Sequence, residues 1–247
     1  MELYIYDTIG KDFFGEGVTA DYVRKELDKA KKNEQIVVRI NSPGGDVWEG
    51  EAIYNMLTRR GNIKVCIDAL AASAASFVAM SGDEIEIAEN ARFMIHESWT
   101  MGYGHKRELA KTIQRLGAID NSIAAKYSAR AGGKRDATTF LANMENETWF
   151  SAQEAVDAGL ADKIGQKLKV KAAVREPMLK DQFSVAACWR NMPASLLGEP
   201  EGAEPSDAAK AAVAALDLRV RIEAKHVNAV VFAPRRSELE TRLRAMR

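Results

Sequence analysis

Cysteine and histidine are scarce in this sequence of 247 residues. Its two cysteines, Cys66 and Cys188, lie far apart and outside any CxxC spacing. We expect both to be reduced thiols of a cytoplasmic protein, because disulfide scaffolds carry several closely spaced cysteines. The three histidines are scattered and none lies in an HExxH pattern, so the sequence predicts no metal site and no cofactor.

An excess of one charge and long apolar runs are also lacking. Lysine and arginine number 35, and aspartate and glutamate number 35, so nothing indicates binding to nucleic acid or to an anionic membrane. No apolar run approaches the roughly 20 residues of a membrane-spanning helix. The N-terminus lacks the basic and apolar regions of a signal peptide. Hydrophobic residues make up 47% of the chain, which is enough for a sizeable buried core.

Short β-rich runs alternate with segments of helical periodicity through the first two thirds of the chain. Strands are predicted at residues 3–6, 36–40, 63–70, 84–87 and 93–96. Helices are predicted after a cap at Thr19 and at residues 47–57, 71–80, 109–130, 137–143 and 152–158. The alternation predicts an α/β fold with βαβ crossovers and a mainly parallel sheet.

The composition changes after about residue 165. Residues 196–208 mix Gly, Pro, Glu and Ser as a linker does, and residues 209–215 are rich in alanine. Residues 235–247 are charged, with Leu239 and Leu243 at helical spacing. We therefore predict one domain over residues 1–166 and a C-terminal extension over residues 167–247, partly helical or disordered.

Three segments carry residues suited to catalysis. The first is the turn Ser42-Pro43-Gly44-Gly45-Asp46, which follows a buried strand. Its glycines can adopt positive φ, so that backbone N–H groups can face an oxyanion or a phosphate. An ordinary turn would have the same sequence.

The second segment runs from Asp68 to Phe77, where a strand passes abruptly into a helix of small residues. A serine at this junction, Ser73, can face a cleft, and small neighbours let a substrate backbone approach. Ser76 is an alternative nucleophile, and a tightly packed structural helix is the simpler interpretation.

The third segment ends an apolar strand at His96. A serine hydroxyl needs a nearby base to act as a nucleophile, and histidine is the usual one. A histidine at a strand end is more often a structural residue, and spacing in the sequence does not show that Ser73 and His96 meet.

Together these segments resemble the ordered signature of the ClpP family of serine peptidases. The matching blocks are INSPGG at residues 40–45, AASAA at 71–75, RFMIH at 92–96, and WFSAQEA with GLAD at 149–155 and 159–162. The resemblance covers roughly residues 2–166 and implies a ClpP/crotonase-like fold. In that family Ser73 matches the nucleophile and His96 the base. Gly45 and Ala74 match the two residues whose N–H groups form the oxyanion hole.

The third member of the triad has more than one candidate in the sequence. The family's aspartate falls on Glu147, whose longer side chain also can orient an imidazole. Glu145 and Asn146 are neighbouring alternatives, although an asparagine carries no charge. A solvated loop carboxylate is the simpler interpretation of Glu147.

Two departures from ClpP favour one branch of the family. The chain starts almost at its first strand, without the axial segment that meets an ATP-driven unfoldase, and it carries about 80 residues beyond the peptidase block. Both features, with local motifs such as ETW at residues 147–149, resemble the ClpP-related head maturation proteases of tailed phages. The resemblance implies a ring-type homo-oligomer that cleaves capsid or scaffold precursors in the host cytoplasm, inside an immature head. The extension would be a scaffold, a self-cleaved segment, or an appendage without a partner.

Three other functions are compatible with parts of the pattern. An ATPase-partnered Clp peptidase subunit would share the same catalytic residues. A catalytically dead ClpP-like scaffold protein would account for glutamate at position 147. A crotonase-type enzyme that acts on acyl-CoA shares the backbone, but the pair Ser73 and His96 disfavours it.

Overall fold

The computed structural model describes residues 1–11, 17–168, 189–193 and 196. The strands in these residues are β1 (Glu2–Tyr6), β2 (Ile36–Ser42), β3 (Ile63–Ala72), β4 (Glu84–Ala88), β5 (Arg92–Ile95), β6 (Thr148–Phe150) and β7 (Lys163–Gly165). The helices are α1 (Ala20–Leu27), α2 (Val47–Arg60), α3 (Ala74–Ala79), α4 (Lys106–Arg130), α5 (Ala137–Glu145) and α6 (Ala152–Ala158).

The sheet is mainly parallel, and its order is β1-β2-β3-β4-β7. Strand β3 divides the sheet, because residues 64–67 pair with β4 while residues 70–72 pair with β5. Strand β6 is antiparallel to β5. These features confirm the predicted α/β fold with crossover helices; the short strands β6 and β7 were not predicted.

Local signals in the sequence explain most helix ends. The Thr19 hydroxyl accepts a hydrogen bond from the N–H of Tyr22 and so caps α1 as predicted. Ser151 and Glu154 form a capping box at the start of α6, and Gly159 ends that helix in a left-handed conformation, φ 79°.

One helix starts later than predicted. We expected a helix from residue 71, but Ala71 and Ala72 are strand residues that pair with Phe93 and Met94 of β5. Helix α3 begins only at Ala74. Alanine favours helices in isolation, and here pairing between strands overrides that preference.

The core lies between the sheet and its helices. Branched aliphatic side chains of β1 to β4 form its centre, and aromatic side chains close it toward α4 and α5. Those aromatic residues are Phe77, Phe93, Tyr127 and Phe140. On α4, Ile123 is buried in this core, whereas Ile113 is 69% exposed.

The described residues 1–11, 17–168 and 189–192 belong to one compact unit. The domain boundary expected at residue 166 stays a prediction. The helices predicted at 209–215 and 235–247 lie outside the described residues. Among the helices that the structure describes, none is both long and apolar enough to cross a membrane.

Candidate active site

Ser73 lies at the sharp junction between β3 and α3. Its backbone has φ 52° and ψ −122°, a conformation that residues other than glycine rarely adopt. The N–H of Ser73 donates to the carbonyl of Met94 on β5 at 3.0 Å, which anchors the junction to the sheet. The chain therefore turns within one residue, and the hydroxyl of Ser73 lines a cleft.

His96 follows the last residue of β5 and meets Ser73. The distance between Nε2 of His96 and Oγ of Ser73 is 2.8 Å. Strands β3 and β5 are parallel neighbours, so the residues that follow their carboxyl ends lie side by side. The structure thus brings together the two residues that the sequence suggested as nucleophile and base.

The imidazole of His96 is held in its neutral form. Burial, with a smaller contribution from the positive charge of Arg190, lowers the pKa of His96 to about 4. A neutral imidazole with its proton on Nδ1 can accept the proton of Ser73 at Nε2. The pair therefore has the protonation state that proton abstraction needs near pH 7.

The glycine turn packs directly against the serine junction. Gly44 and Gly45 have φ values of 92° and 150°. A Cβ atom on Gly44 would lie 2.7 Å from Cβ of Ser73, and one on Gly45 would lie 2.0 Å from the carbonyl oxygen of Ile9. Only glycine fits at both positions.

The two predicted oxyanion donors, the N–H groups of Gly45 and Ala74, each belong to the residue that follows this contact between Gly44 and Ser73. Among the hydrogen bonds between described residues, none uses the N–H of Gly45 or of Ala74 as donor. Both residues line the same cleft as Ser73. Their N–H groups are thus available to an acceptor in the cleft.

The cleft has a volume of about 820 Å³. One wall comes from the start of α2 and from α3, and the opposite wall from α4. Its apolar lining includes Trp48, Phe77, Leu116, Ile119 and Ile123. A space of this size and character suits a peptide segment with apolar side chains.

Glu147 lies in the loop before β6, and its carboxylate contacts neither Ser73 nor His96. Its Oε1 accepts from Nε1 of Trp149 at 3.0 Å and from the N–H of Asn191 at 2.7 Å. Its Oε2 accepts from the N–H of Arg190. The side chain is 2% exposed, so Glu147 is buried and fixed by three donors.

The backbone nevertheless brings the loop of Glu147 to the end of the strand that carries the base. The ladder of β5 and β6 ends at the pair Ile95 and Thr148. His96 follows Ile95, and Glu147 precedes Thr148 with a positive φ of 45°. No described residue accepts a hydrogen bond from Nδ1 of His96.

The alternative candidates have other surroundings. Ser76 is fully buried, and its hydroxyl lies 2.5 Å from the carbonyl oxygen of Ser73 and 2.6 Å from the hydroxyl of Tyr127. This hydroxyl does not face the cleft. Glu145 and Asn146 are exposed, and their carbonyl groups accept from the side chains of Arg190 and Asn191.

Two features of the site were not predicted from the sequence. Oδ1 of Asp120 accepts from both the N–H and the hydroxyl of Ser98, which joins the segment after His96 to α4. The residues around Arg190 contact the loop of Glu147 from 43 positions further along the chain. Neither contact has a local signal, because both depend on residues distant in the sequence.

Comparison with known proteins identifies the family. Residues 14–168 match the family model described as Clp protease. The chain is 32% identical to an ATP-dependent Clp protease proteolytic subunit of Ligilactobacillus salivarius, an alignment that covers 59% of this chain and 75% of the relative. It is 26% identical to ATP-dependent Clp protease proteolytic subunit 1 of Prochlorococcus marinus, over 64% of this chain and 85% of the relative. A third such subunit, from Chlorella vulgaris, is 27% identical over 58% of this chain and 72% of the relative. With its parallel sheet and its serine and histidine in contact, the chain belongs to the Clp protease family.

Proposed function

We propose that this protein is a serine endopeptidase in which Ser73 is the nucleophile and His96 the general base. The observation that carries the proposal is the 2.8 Å contact between Oγ of Ser73 and Nε2 of His96 at the wall of an open cleft. Serine acquires nucleophilic strength when an adjacent imidazole takes its proton during attack. Membership of a peptidase family supports the same reaction.

The reaction proceeds by acyl transfer. Nε2 of His96 takes the proton of Ser73 as Oγ forms a bond to the carbonyl carbon of a peptide. The resulting oxyanion accepts from the N–H groups of Gly45 and Ala74. The C–N bond then breaks as His96 gives its proton to the leaving amine, and water hydrolyses the ester to restore Ser73.

Glu147 is the proposed third member of the triad. When His96 takes the serine proton, the imidazole becomes a cation in a buried site, which a carboxylate at Nδ1 would stabilise. The pairing of β5 and β6 supports Glu147 for this role, because its last pair, Ile95 and Thr148, adjoins both His96 and Glu147. The carboxylate would have to leave its present donors to reach Nδ1.

We propose further that the physiological substrates are capsid or scaffold precursors of a tailed phage. The support is the resemblance of the glycine turn and of the blocks around Ser73 and Glu147 to head maturation proteases. The enzyme would then act in the host cytoplasm within an immature head, as a ring-type homo-oligomer. Exposed apolar side chains near the start of α4, including Met101, Tyr103 and Ile113, support contacts between subunits.

A second candidate function is the proteolytic subunit of an ATP-dependent Clp protease. The specific support is that the relatives compared above carry that name. The two functions share one chemistry and differ in the partner. Stimulation of peptide hydrolysis by a Clp ATPase would favour this candidate, and cleavage of a co-expressed capsid precursor without an ATPase would favour head maturation.

The experiment compares the full chain with its Ser73→Ala variant. Both proteins are treated with a fluorophosphonate probe and followed by intact mass, alone and with the capsid precursor. Ser128→Ala is the matched control, because Ser128 lies on α4 outside the cleft and only donates to the carbonyl of Arg135. Labelling at Ser73 in the wild type and in the control, but not in Ser73→Ala, supports the enzyme. If the wild type is neither labelled nor cleaves the precursor, the proposal of an active serine endopeptidase fails.

A further inference from the structure

A short segment from far along the chain covers the loop of Glu147. We call residues 189–192 the latch segment. Two consecutive backbone N–H groups of this segment, from Arg190 and Asn191, donate to the two oxygens of the Glu147 carboxylate. The N–H of Trp149 supplies the third donor, from its indole ring. Two of the three bonds that fix this carboxylate therefore come from the latch segment.

Side chains of the segment add further contacts to the same loop. Nη2 of Arg190 donates to the carbonyl of Glu145 at 3.0 Å, and Nδ2 of Asn191 donates to the carbonyl of Asn146 at 2.9 Å. The rings of Trp149 and Trp189 meet edge to face, with their centroids 5.1 Å apart. The segment is therefore specifically docked by backbone, polar and aromatic contacts.

The docking has a consequence for the base. His96 and Glu147 each adjoin the last pair of the β5 and β6 ladder, Ile95 and Thr148, yet no described residue bonds Nδ1 of His96. The cation of Arg190 instead acts on the imidazole and disfavours its protonated form. Both effects oppose the imidazolium that must form when Ser73 attacks a substrate.

The contact also carries an uncompensated group. Nε1 of Trp189 is buried and has no acceptor among the residues that the structure describes. A buried donor without an acceptor costs free energy that is regained when it reaches water. Undocking of the segment would hydrate this N–H, and this gain offsets part of the free energy that the other docking contacts supply.

We propose that the latch segment is an autoinhibitory contact: it holds the Glu147 carboxylate away from His96, and its displacement releases Glu147 to complete the triad. The inference rests on the proposed serine-peptidase function. The segment ends at Met192, where the compact unit of described residues also ends. A cut, a pull or a binding partner acting just beyond Met192 is thus placed to displace the latch segment.

The test uses two variants of the full chain that weaken the docking in different ways. Asn191→Pro removes one backbone donor to Glu147, and Trp189→Ala removes the aromatic contact with Trp149. Asn191→Ala is the matched control, because it keeps the backbone N–H and loses only the side-chain bond to Asn146. Unchanged circular dichroism spectra check that every variant is folded.

Two readouts follow, the rate of fluorophosphonate labelling at Ser73 and the titration of His96 by ¹⁵N NMR. We expect Asn191→Pro and Trp189→Ala to be labelled at least about tenfold faster than the wild type and the control, since a missing triad carboxylate can cost about 10⁴-fold. We also expect His96 to titrate at a higher pH in both variants.

Unchanged or slower labelling together with an unchanged titration would overturn the latch. Slower labelling alone would show that the segment holds Glu147 in its productive position, which overturns autoinhibition too. If no protein is labelled but the titration of His96 shifts in the two variants, the contact is a latch on the imidazole and the serine-peptidase function fails instead. If all four proteins are labelled at the same rate and His96 titrates at the same pH in each, the serine-peptidase function stands and the autoinhibitory role of the latch segment is rejected.

Discussion

Ser98 and Asp120 are joined through a single carboxylate oxygen. Oδ1 of Asp120 accepts from the N–H and from the hydroxyl of Ser98, each at 2.7 Å. Asp120 is 6% exposed, and Ser98 lies two residues after His96. This half-buried pair ties the segment that leaves β5 to helix α4, and with it the position of the proposed base.

We predict that Asp120→Ala lowers both stability and turnover. The substitution leaves two donors of Ser98 without their acceptor, which costs about 1–3 kcal/mol when such groups are buried. Because the segment after His96 loosens, kcat of peptide hydrolysis should fall more than KM rises. Urea unfolding and steady-state kinetics measure the two effects.

Asp120→Asn is the control for that prediction, because its amide oxygen can still accept from Ser98. It should retain most of the stability and turnover. If Asp120→Ala unfolds at the wild-type urea concentration and keeps its kcat, the pair has no positioning role.

The sequence predicts the fold better than it predicts the contacts of the site. Caps such as Thr19, Ser151 and Gly159 are local, so their side chains and backbone preferences indicate helix ends directly. The strand character of Ala71 and Ala72 is not local, since it depends on the partner strand β5. The contact between Ser73 and His96 likewise depends on β3 and β5 being neighbours in the sheet. The number of residues between Ser73 and His96 does not indicate how close they lie in space.

The surroundings of Glu147 are the clearest example of this difference. Its motif indicates a residue near the base, and the register of β5 and β6 agrees. The donors that hold its carboxylate belong to Arg190 and Asn191, in a part of the sequence without a recognisable motif. A side chain's orientation depends on such tertiary partners, so the sequence alone could not predict it.

We predict that Gly44→Ala impairs the active site, and that it costs more than the same substitution at a glycine without close neighbours. A Cβ atom at Gly44 would lie 2.6 Å from the carbonyl oxygen of Ala72 and 2.7 Å from Cβ of Ser73. Backbone strain at positive φ costs about 1–3 kcal/mol, and overpacking adds about 1–3 kcal/mol. Labelling of Ser73 by a fluorophosphonate should be lost or strongly slowed, because the clash displaces the nucleophile.

The matched control for Gly44→Ala is Gly132→Ala. Gly132 also has a positive φ, 59°, but a Cβ atom there meets nothing within 4 Å. It should therefore lose about 1 kcal/mol from strain alone and label at the wild-type rate. Equal losses in the two variants, measured by urea unfolding and by labelling, would show that the close approach at Gly44 does not matter.

We predict that Ser76→Ala destabilises the protein without removing its nucleophile. The Ser76 hydroxyl is fully buried beside the hydroxyl of Tyr127, whose pKa burial raises, so that Tyr127 stays protonated. Removing Ser76 leaves the Tyr127 hydroxyl unpaired, at a cost of about 1–3 kcal/mol. Labelling at Ser73 should persist, whereas Ser73→Ala should abolish it.

A double-mutant cycle with Tyr127→Phe isolates the Ser76 contact. If the two hydroxyls interact as the 2.6 Å distance indicates, the double variant should be less destabilised than the sum of the single variants. Loss of labelling in Ser76→Ala with Ser73 intact would instead assign the nucleophile to Ser76.

Finally, the lowered pKa of His96 makes stability depend on pH in a defined direction. Burial, with the nearby cation of Arg190, lowers the pKa of His96 to about 4 in the folded protein, while an unfolded histidine titrates near about 6.5. Between these values the unfolded state binds a proton that the native state does not, so stability falls as the pH is lowered through this window. At pH 4.5 the effect of this one group should reach about 2 kcal/mol. Urea unfolding at pH 7 and pH 4.5 should show that His96→Gln loses less stability than the wild type by about this amount. An equal loss in both proteins would mean that His96 titrates in the folded state as it does in the unfolded chain, and that its burial carries no electrostatic cost.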